Sequence, residues 1–325
     1  MKSNLDYRTE AWRLLFGRGW FWKLIAGAIL LSLCGQAVNV VISGILGRME
    51  IMDLSAFQRA LVEAKASGSA LPQLAHGQLA YHLVTSSLLE GFFAIIMGGI
   101  AAYGYDVLRS RCLRDDDTDW LKACFGGFRI PLDLAWLFLR LMLIFLGWTL
   151  LGLLPFLALA ECFAPSVSLH GGLASAVVLA AAISLGLLVL LLLISIPFYR
   201  YRFLFLVKAE HPELSAGDCL RRARALTDGH KMASFRLDCS YWRPITLVLL
   251  IGVLFLACFG AAVALKSVSV AACALCVVVG LLVFLAYIPA AIVLAQYISV
   301  GQGLFYRDLA EQLPLPAAET PATGD

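Results

Sequence analysis

Six long apolar stretches follow one another along the chain, and short polar or basic segments separate them. They cover residues 20–46, 81–105, 131–160, 173–199, 244–265 and 270–299. A helix needs roughly 20 apolar residues to cross a bilayer, so each stretch is long enough for one crossing. The pattern therefore predicts an all-α, polytopic membrane helix bundle with about six transmembrane helices and cytoplasmic interfacial helices.

The segments outside these stretches set the domain limits. Residues 47–80 form the one sizeable loop on the outer side, and Asp53 or Ser55 is placed to cap a short interfacial helix there; a mobile loop is the alternative. Residues 311–325 are rich in Pro, Ala and Thr, a composition typical of disorder. We expect a single six-helix membrane domain over residues 1–310, followed by a disordered tail over 311–325.

The composition agrees with a lipid environment. Hydrophobic residues make up 61% of the 325 residues, charged residues 14%, and the mean hydropathy is +0.85. Soluble domains have roughly 45–50% apolar and about 25% charged residues. The net charge of +3 is too small to indicate a nucleic-acid partner. The nine cysteines lack metal-ligand spacing and are expected to serve as small apolar side chains.

The distribution of lysine and arginine predicts the orientation. Twenty of the 25 basic residues lie in the N-terminal arm, in the 106–130 and 200–243 segments, and at Arg307. Four lie in the segments on the opposite side, and Arg140 falls inside the third stretch. Basic residues concentrate in cytoplasmic loops, so both termini are expected in the cytoplasm.

Several polar side chains interrupt the apolar stretches. Ionisable groups in lipid are costly and usually face protein or water, which makes Glu90 a candidate functional residue. Gln36 and Asn39 share one face of the first stretch, and Asn39 is at a similar predicted depth to Glu90. We expect these three to form a buried hydrogen-bond cluster. Arg140 has three options: pairing with Glu90, extending toward the cytoplasm, or approaching Asp133.

A soluble amphipathic helix is predicted from Ser215 to Asp228. Ser215 and Asp218 have the capping-box spacing, and Gly229 is placed to end the helix. We expect this helix to lie on the membrane surface; docking of another protein is the alternative. Its basic residues and the turn after it are the candidates for binding lipid or another anion, namely Arg221, Arg222, Arg224, His230 and Lys231.

Short segments before the odd-numbered stretches share a weak pattern. Residues 11–17 and 223–229 both read A-x-x-L-x-x-G, and residues 122–126 are a looser match. A basic interfacial helix leading into a two-span hairpin, used three times, explains this placement. Chance similarity is the alternative, because Ala, Leu and Gly are common here.

In layout, most of the chain resembles a bacterial membrane family catalogued as a domain of unknown function, number nine-seven-five, and the residues most similar to the family lie in about the last 130. The resemblance rests on Tyr199-Arg200-Tyr201, on Gly229-His230-Lys231 with Phe235-Arg236-Leu237, and on Phe305-Tyr306-Arg307-Asp308-Leu309. It implies a protein of the bacterial cytoplasmic membrane and no particular activity. The chain departs from the family at Lys208-Ala209-Glu210, where an Asp is expected, and at Tyr241-Trp242.

No catalytic triad, nucleotide-binding loop or metal motif stands out, so no cofactor, metal site or catalytic residue is expected. The favoured hypothesis is a non-enzymatic organiser or regulator of membrane partners or lipids. Its partners would be anionic lipid headgroups, other membrane proteins or further copies of the chain. The alternative is a small permease with a polar site around Glu90 and Arg140.

Overall fold

A computed structural model describes residues 2–48, 73–163, 173–265 and 269–313. For some helical residues, most of them next to these gaps, the structure describes the backbone but not the side chain. These are residues 43, 45–48, 73–87, 155–163, 173–183, 264–265 and 271. The predicted helix of the 47–80 loop, around Asp53 and Ser55, and most of the predicted tail lie outside the described residues.

All regular elements in the described ranges are helical. We number the α-helices in chain order; a π-helical turn, Arg13–Gly17, follows the first, and a 3₁₀ turn, Phe125–Arg129, follows the fourth. The α-helices are α1 Asn4–Trp12, α2 Trp20–Arg48, α3 Gln73–Arg114, α4 Trp120–Cys124, α5 Pro131–Phe163, α6 Leu173–Tyr201, α7 Leu204–Glu210, α8 Ala216–Thr227, α9 Lys231–Ser240, α10 Trp242–Leu265 and α11 Val270–Gln312.

Six helices are long and apolar enough to cross a membrane, which confirms the predicted multi-pass, all-α architecture. They are α2, α3, α5, α6, α10 and α11, with α7 continuing the apolar window of α6. The predicted and observed ranges agree closely except at two helices. α3 spans Gln73–Arg114 rather than 81–105, and α11 continues to Gln312, past both the predicted end of its span and the start of the predicted tail.

The spans are arranged as three helix hairpins, α2–α3, α5–α6 and α10–α11, and a short helix precedes each at the same end. α3 also packs on α5, and Gly99 permits the contact. A Cβ on Gly99 would lie only 2.6 Å from the carbonyl oxygen of Leu134, so the absence of a side chain lets the two backbones approach. A short helix thus precedes each hairpin, as the repeat hypothesis requires, but residues 223–229 lie at the end of α8 and α9 separates them from α10, so the repeat stays a hypothesis.

The packed core lies at one end of the bundle. We call it the basic end, because it comprises α1, α4, α7, α8, α9 and the adjoining ends of α3 and α11, where most of the basic residues are. Fully buried side chains there include Tyr7, Leu108, Phe203, Leu206 and Tyr306. The most apolar windows of the spans are only 6–33% buried. The spans therefore present most of their surface to lipid, and the helices of the basic end bury one another.

Candidate functional site

The predicted intramembrane residues Gln36, Asn39 and Glu90 line one groove between α2 and α3, which we call the α2–α3 groove. Its volume is about 560 Å³. Gln36 and Asn39 contribute from one face of α2, because residues three apart lie on the same side of a helix. Glu90 contributes from α3, and Gly35 and Gly91 lie beside these polar residues and leave space between the helices.

The groove is open rather than sealed. Gln36 and Asn39 are exposed and Glu90 is half-buried. Among the residues that the structure describes, none of the three forms a hydrogen bond. The expected buried cluster is thus not formed: the side chains share the groove, but the space between α2 and α3 separates them. The carboxamides of Gln36 and Asn39 and the carboxyl group of Glu90 are therefore accessible to hydrogen-bonding groups from outside α2 and α3.

Arg140 does not belong to the groove. The backbone contact between Gly99 of α3 and Leu134 of α5, where a Cβ on Gly99 would lie 2.6 Å from the Leu134 carbonyl oxygen, sets the register of these antiparallel helices. From that level, Glu90 is about 13.5 Å and Arg140 about 9 Å toward the far end of the bundle, at 1.5 Å per residue. The two backbone positions therefore differ in depth by about 4.5 Å, so the direction of the Arg140 side chain decides whether the two residues meet.

The Arg140 side chain points to the basic end. Its guanidinium lies 4.8 Å from the centre of the Trp136 ring, and its Nη1 would be 3.3 Å from a Cβ on Gly217 in the first turn of α8. Of the three options, the structure has Arg140 extending toward the side that the sequence assigns to the cytoplasm. A shared Glu90–Arg140 site is therefore not formed.

The predicted amphipathic helix is α8, Ala216–Thr227, and its predicted ends are confirmed. The Ser215 hydroxyl accepts a hydrogen bond from the Asp218 backbone N–H at 3.2 Å, and Gly229 adopts φ +78° just after the helix. The Ser215 hydroxyl, and then the Arg221 guanidinium, hold the pKa of the Asp218 carboxyl below its usual value. Residues 215–218 therefore fix the helix start by local polar contacts.

The apolar face of α8 is covered by protein, contrary to the expectation of a helix lying on the membrane. Cys219 and Ala223 are fully buried and Leu226 nearly so, against α5, α6 and α7. Burial raises the pKa of the Cys219 thiol to about 11. The sequence shows that this helix has an apolar face, but periodicity alone does not identify what covers it.

The basic residues of α8 differ in their surroundings. Arg221 pairs with Asp218 and its side chain is 82% exposed, so that ion pair is weak. Arg222 donates to the carbonyl of Leu313 and ties α8 to the end of α11. Arg224 is exposed and has no ion-pair partner in the described ranges. Arg221 and Arg224 therefore remain open to an external anion.

The turn after α8 holds His230 and Lys231. His230 is half-buried, and its backbone N–H donates to the Thr227 carbonyl at 3.1 Å. The Lys231 ammonium lies 3.5 Å from the Asp228 carboxylate, and both side chains are well exposed. Lys231 therefore forms only a weak ion pair at this helix end, and the contacts of the turn give no specificity for a particular anion.

Sequence reasoning missed how completely Lys208 is enclosed. Its side chain is buried, and its ammonium donates to the carbonyls of Pro212 and Leu214 at 2.9 and 2.7 Å. Asp133, in the first turn of α5, lies 2.5 Å away. One ammonium thus joins α7, the loop before α8, and α5. A lysine placed directly after the apolar run 204–207 was the available signal.

Two carboxylates at the basic end are also fully engaged. Glu210 accepts hydrogen bonds from Arg114 at 2.9 Å and Tyr306 at 2.8 Å. Asp238 accepts from Tyr199 at 3.0 Å and Gln302 at 2.7 Å, and it pairs with Arg202. These contacts join α6, α7 and α9 to α3 and α11. They fix the packing of helices that are distant in sequence.

Comparisons of the chain with protein-family models, with characterised proteins and with solved structures found no match. The resemblance to the bacterial membrane family of unknown function therefore stays a prediction.

Proposed function

We propose that this chain is a non-enzymatic, six-span protein of the bacterial cytoplasmic membrane that binds and organises a partner within the bilayer. Both termini would lie in the cytoplasm, since basic residues concentrate on that side of membrane proteins. The partner would be a transmembrane helix with hydrogen-bonding side chains, from another protein or from a further copy of the chain. The α2–α3 groove would be the binding site.

The observation that carries this proposal is the open polar groove. The groove has a volume of about 560 Å³ and lies between two helices long enough to cross the membrane; its polar lining residues are Gln36, Asn39 and Glu90. Polar side chains facing lipid lose hydrogen bonds with water and gain none in return. Hydrogen bonds from a partner helix offset that cost, as polar residues do between transmembrane helices. Carboxamides both donate and accept, so a second copy is also a chemically suitable partner.

The test is recovery of partners from native membranes. The full chain would be purified in native lipid, and co-purifying proteins, copies of the chain and lipids would be quantified. Gln36→Leu, Asn39→Leu and Glu90→Leu, combined, should sharply reduce the recovery of a specific protein partner or of the oligomer. Val40→Leu with Val41→Leu is the matched control, because both valines are exposed on the same helix.

Unchanged recovery of every partner in the triple Leu variant would reject the groove as the binding site. The permease hypothesis predicts a different result. In proteoliposomes, a proton or solute flux that Glu90→Gln abolishes would favour transport over partner binding. Because Arg140 points away from the groove, Arg140→Gln should leave such a flux unchanged.

A further inference from the structure

The outward face of α9 carries large apolar side chains that the described protein covers only in part: the Phe235 ring contacts the Tyr199 ring of α6, with 5.9 Å between the ring centres. Met232 is 61% exposed and Phe235 46% exposed, and Arg236 and Cys239 are exposed on the same side. Ser234 and Leu237, on the opposite side of the helix, are buried. With 3.6 residues per turn, these positions divide α9 into an inner face and an outer face.

Contacts on the inner side fix the direction of this outer face. The Ser234 hydroxyl donates to the Gln302 side-chain oxygen at 3.1 Å. The Gln302 side-chain nitrogen donates to Asp238 at 2.7 Å and to the Ser234 carbonyl at 3.2 Å. Gln302 is fully buried in α11. α9 is thus attached to a membrane-crossing helix, and Met232 and Phe235 point away from it.

The outer face of α9 leads directly into a transmembrane surface. α9 ends at Ser240 and α10 begins at Trp242, whose side chain is 58% exposed. The Arg243 guanidinium lies 5.7 Å from the centre of the Trp242 ring. Tryptophan at the start of a span marks the level of the lipid headgroups. Only Tyr241 separates α9 from α10, so this tryptophan indicates that the end of α9 is close to the edge of the bilayer.

The charges beside this face are positive. Arg236 and Arg243 are exposed, and neither has an acidic partner within the ranges that the structure covers. A helix with apolar side chains on one face and basic residues at its margins binds in the interface of membranes that contain anionic lipids. α8 lacks such a surface, because its apolar face is buried in the protein.

We propose that α9 is an interfacial lipid-binding helix. Met232, Phe235 and Cys239 enter the boundary between headgroups and acyl chains, and Arg236 and Arg243 bind the phosphate groups of anionic phospholipids. The occupant of this face is the membrane in which the chain itself resides. The proposal concerns the basic end and does not depend on a partner in the α2–α3 groove.

The depth of Cys239 in a bilayer tests the proposal. A full-length chain that keeps Cys239 and has its other cysteines changed to Ala would carry a nitroxide at residue 239. The control places the nitroxide at Ala225→Cys, an exposed position on the outer side of α8, with Cys239→Ala. Both would be reconstituted in vesicles of phosphatidylcholine with phosphatidylglycerol. Collisions with oxygen, which concentrates in lipid, and with a nickel chelate, which stays in water, would be measured.

The label at residue 239 should collide several-fold more often with oxygen, and less often with the nickel chelate, than the label at residue 225. Equal accessibility at both positions would overturn the insertion. Raising the phosphatidylglycerol fraction should deepen the label at residue 239, and Arg236→Gln with Arg243→Gln should remove that dependence. A depth that does not respond to phosphatidylglycerol in the unsubstituted chain would overturn the role of the two arginines.

A second version of the measurement guards against misfolding of the cysteine-depleted chain. The native cysteines would be kept, and Cys239→Ala would supply the background signal. Cys112, Cys124 and Cys219 are buried and should take up little label. The difference between the two samples then reports on residue 239 alone, with the same expected and contrary results.

Discussion

Glu90 and Lys208 show two ways of placing an ionisable side chain in an apolar helix. Lys208 is enclosed, with two carbonyl oxygens and the Asp133 carboxylate around its ammonium. Glu90 is half-buried at the α2–α3 groove and has no hydrogen-bond partner among the described residues. A buried charge is tolerated where it is paired and hydrogen-bonded. Lys208 therefore holds the fold together, whereas Glu90 adds no hydrogen bond or ion pair to the described part of the fold.

Glu90→Gln and Glu90→Leu should both leave the stability of the isolated chain nearly unchanged. Substitutions away from hydrogen bonds and packed cores usually change the free energy of unfolding by less than about 0.5 kcal/mol. Thermal unfolding in detergent would measure the effect, with Val41→Leu as the control on the same hairpin. A loss of about 1 kcal/mol in Glu90→Leu alone, the usual size for an interhelical hydrogen bond, would show that Glu90 bonds within the chain.

At the scale of the helices, hydrophobic periodicity and cap residues predicted most of what the structure contains. The spans follow from length and apolarity, and α8 follows from Ser215, Asp218 and Gly229. The polar ends of α3 and α11 were missed. Their charged residues contact other helices of the basic end, as Arg114 does with Glu210. Such contacts join residues 96 positions apart, and no local pattern identifies them.

The sequence predicted an interfacial helix at α8, whereas we propose that role for α9. α8 has the clearer separation of apolar and charged residues, and that separation reflects burial against α5, α6 and α7. In α9 the apolar residues divide between both faces, with Leu237 inside and Phe235 outside. The spacing of Met232, Phe235, Cys239 and Trp242 was the signal for the outer face. That spacing could not be interpreted from the sequence alone, because the sequence does not show which face of α9 packs against the rest of the protein.

The Lys208 contacts give a prediction about how α5, α7 and α8 are held together. Lys208→Met should destabilise the chain by about 3 kcal/mol, because it removes charge-assisted hydrogen bonds and leaves two carbonyls without their donor. Asp133→Asn should cost less, about 1 kcal/mol or below, since the ammonium keeps its two carbonyl acceptors and a carboxamide oxygen at residue 133 can still accept a hydrogen bond from it.

Chemical unfolding of both variants in the same detergent would measure this difference. Arg224→Met is a matched control, because Arg224 is an exposed basic residue without an ion-pair partner in the described part of the chain. Equal losses from Lys208→Met and Asp133→Asn would mean that the ion pair, rather than the two carbonyl contacts, holds the helices together.

For the whole molecule, the position of the core constrains the assembly of the protein in a membrane. Each span buries little of its surface, and its strongest contact is with the other span of its hairpin. The three hairpins are joined at the basic end, where α1 packs on α11 and α7 packs on α3. The N-terminal helix therefore contacts the end of the last span, so the basic end is completed only after the last span has been made.

The orientation of the whole chain gives the last prediction. Twenty of the 25 basic residues lie in segments of the basic end, which the positive-inside rule assigns to the cytoplasm. Each fusion site would carry either alkaline phosphatase, which is active outside, or a fluorescent protein that folds inside. The phosphatase should be active after Lys65, Ala164 and Lys266, and fluorescence should follow fusions after Asp117, Asp228 and Leu313. Each site is tested with both reporters, and one should be active where the other is not, so a missing signal cannot be mistaken for poor expression. Phosphatase activity after Asp228 would reverse the orientation, because the 200–243 segment carries the largest basic excess, and it would place the α9 surface on the outer leaflet.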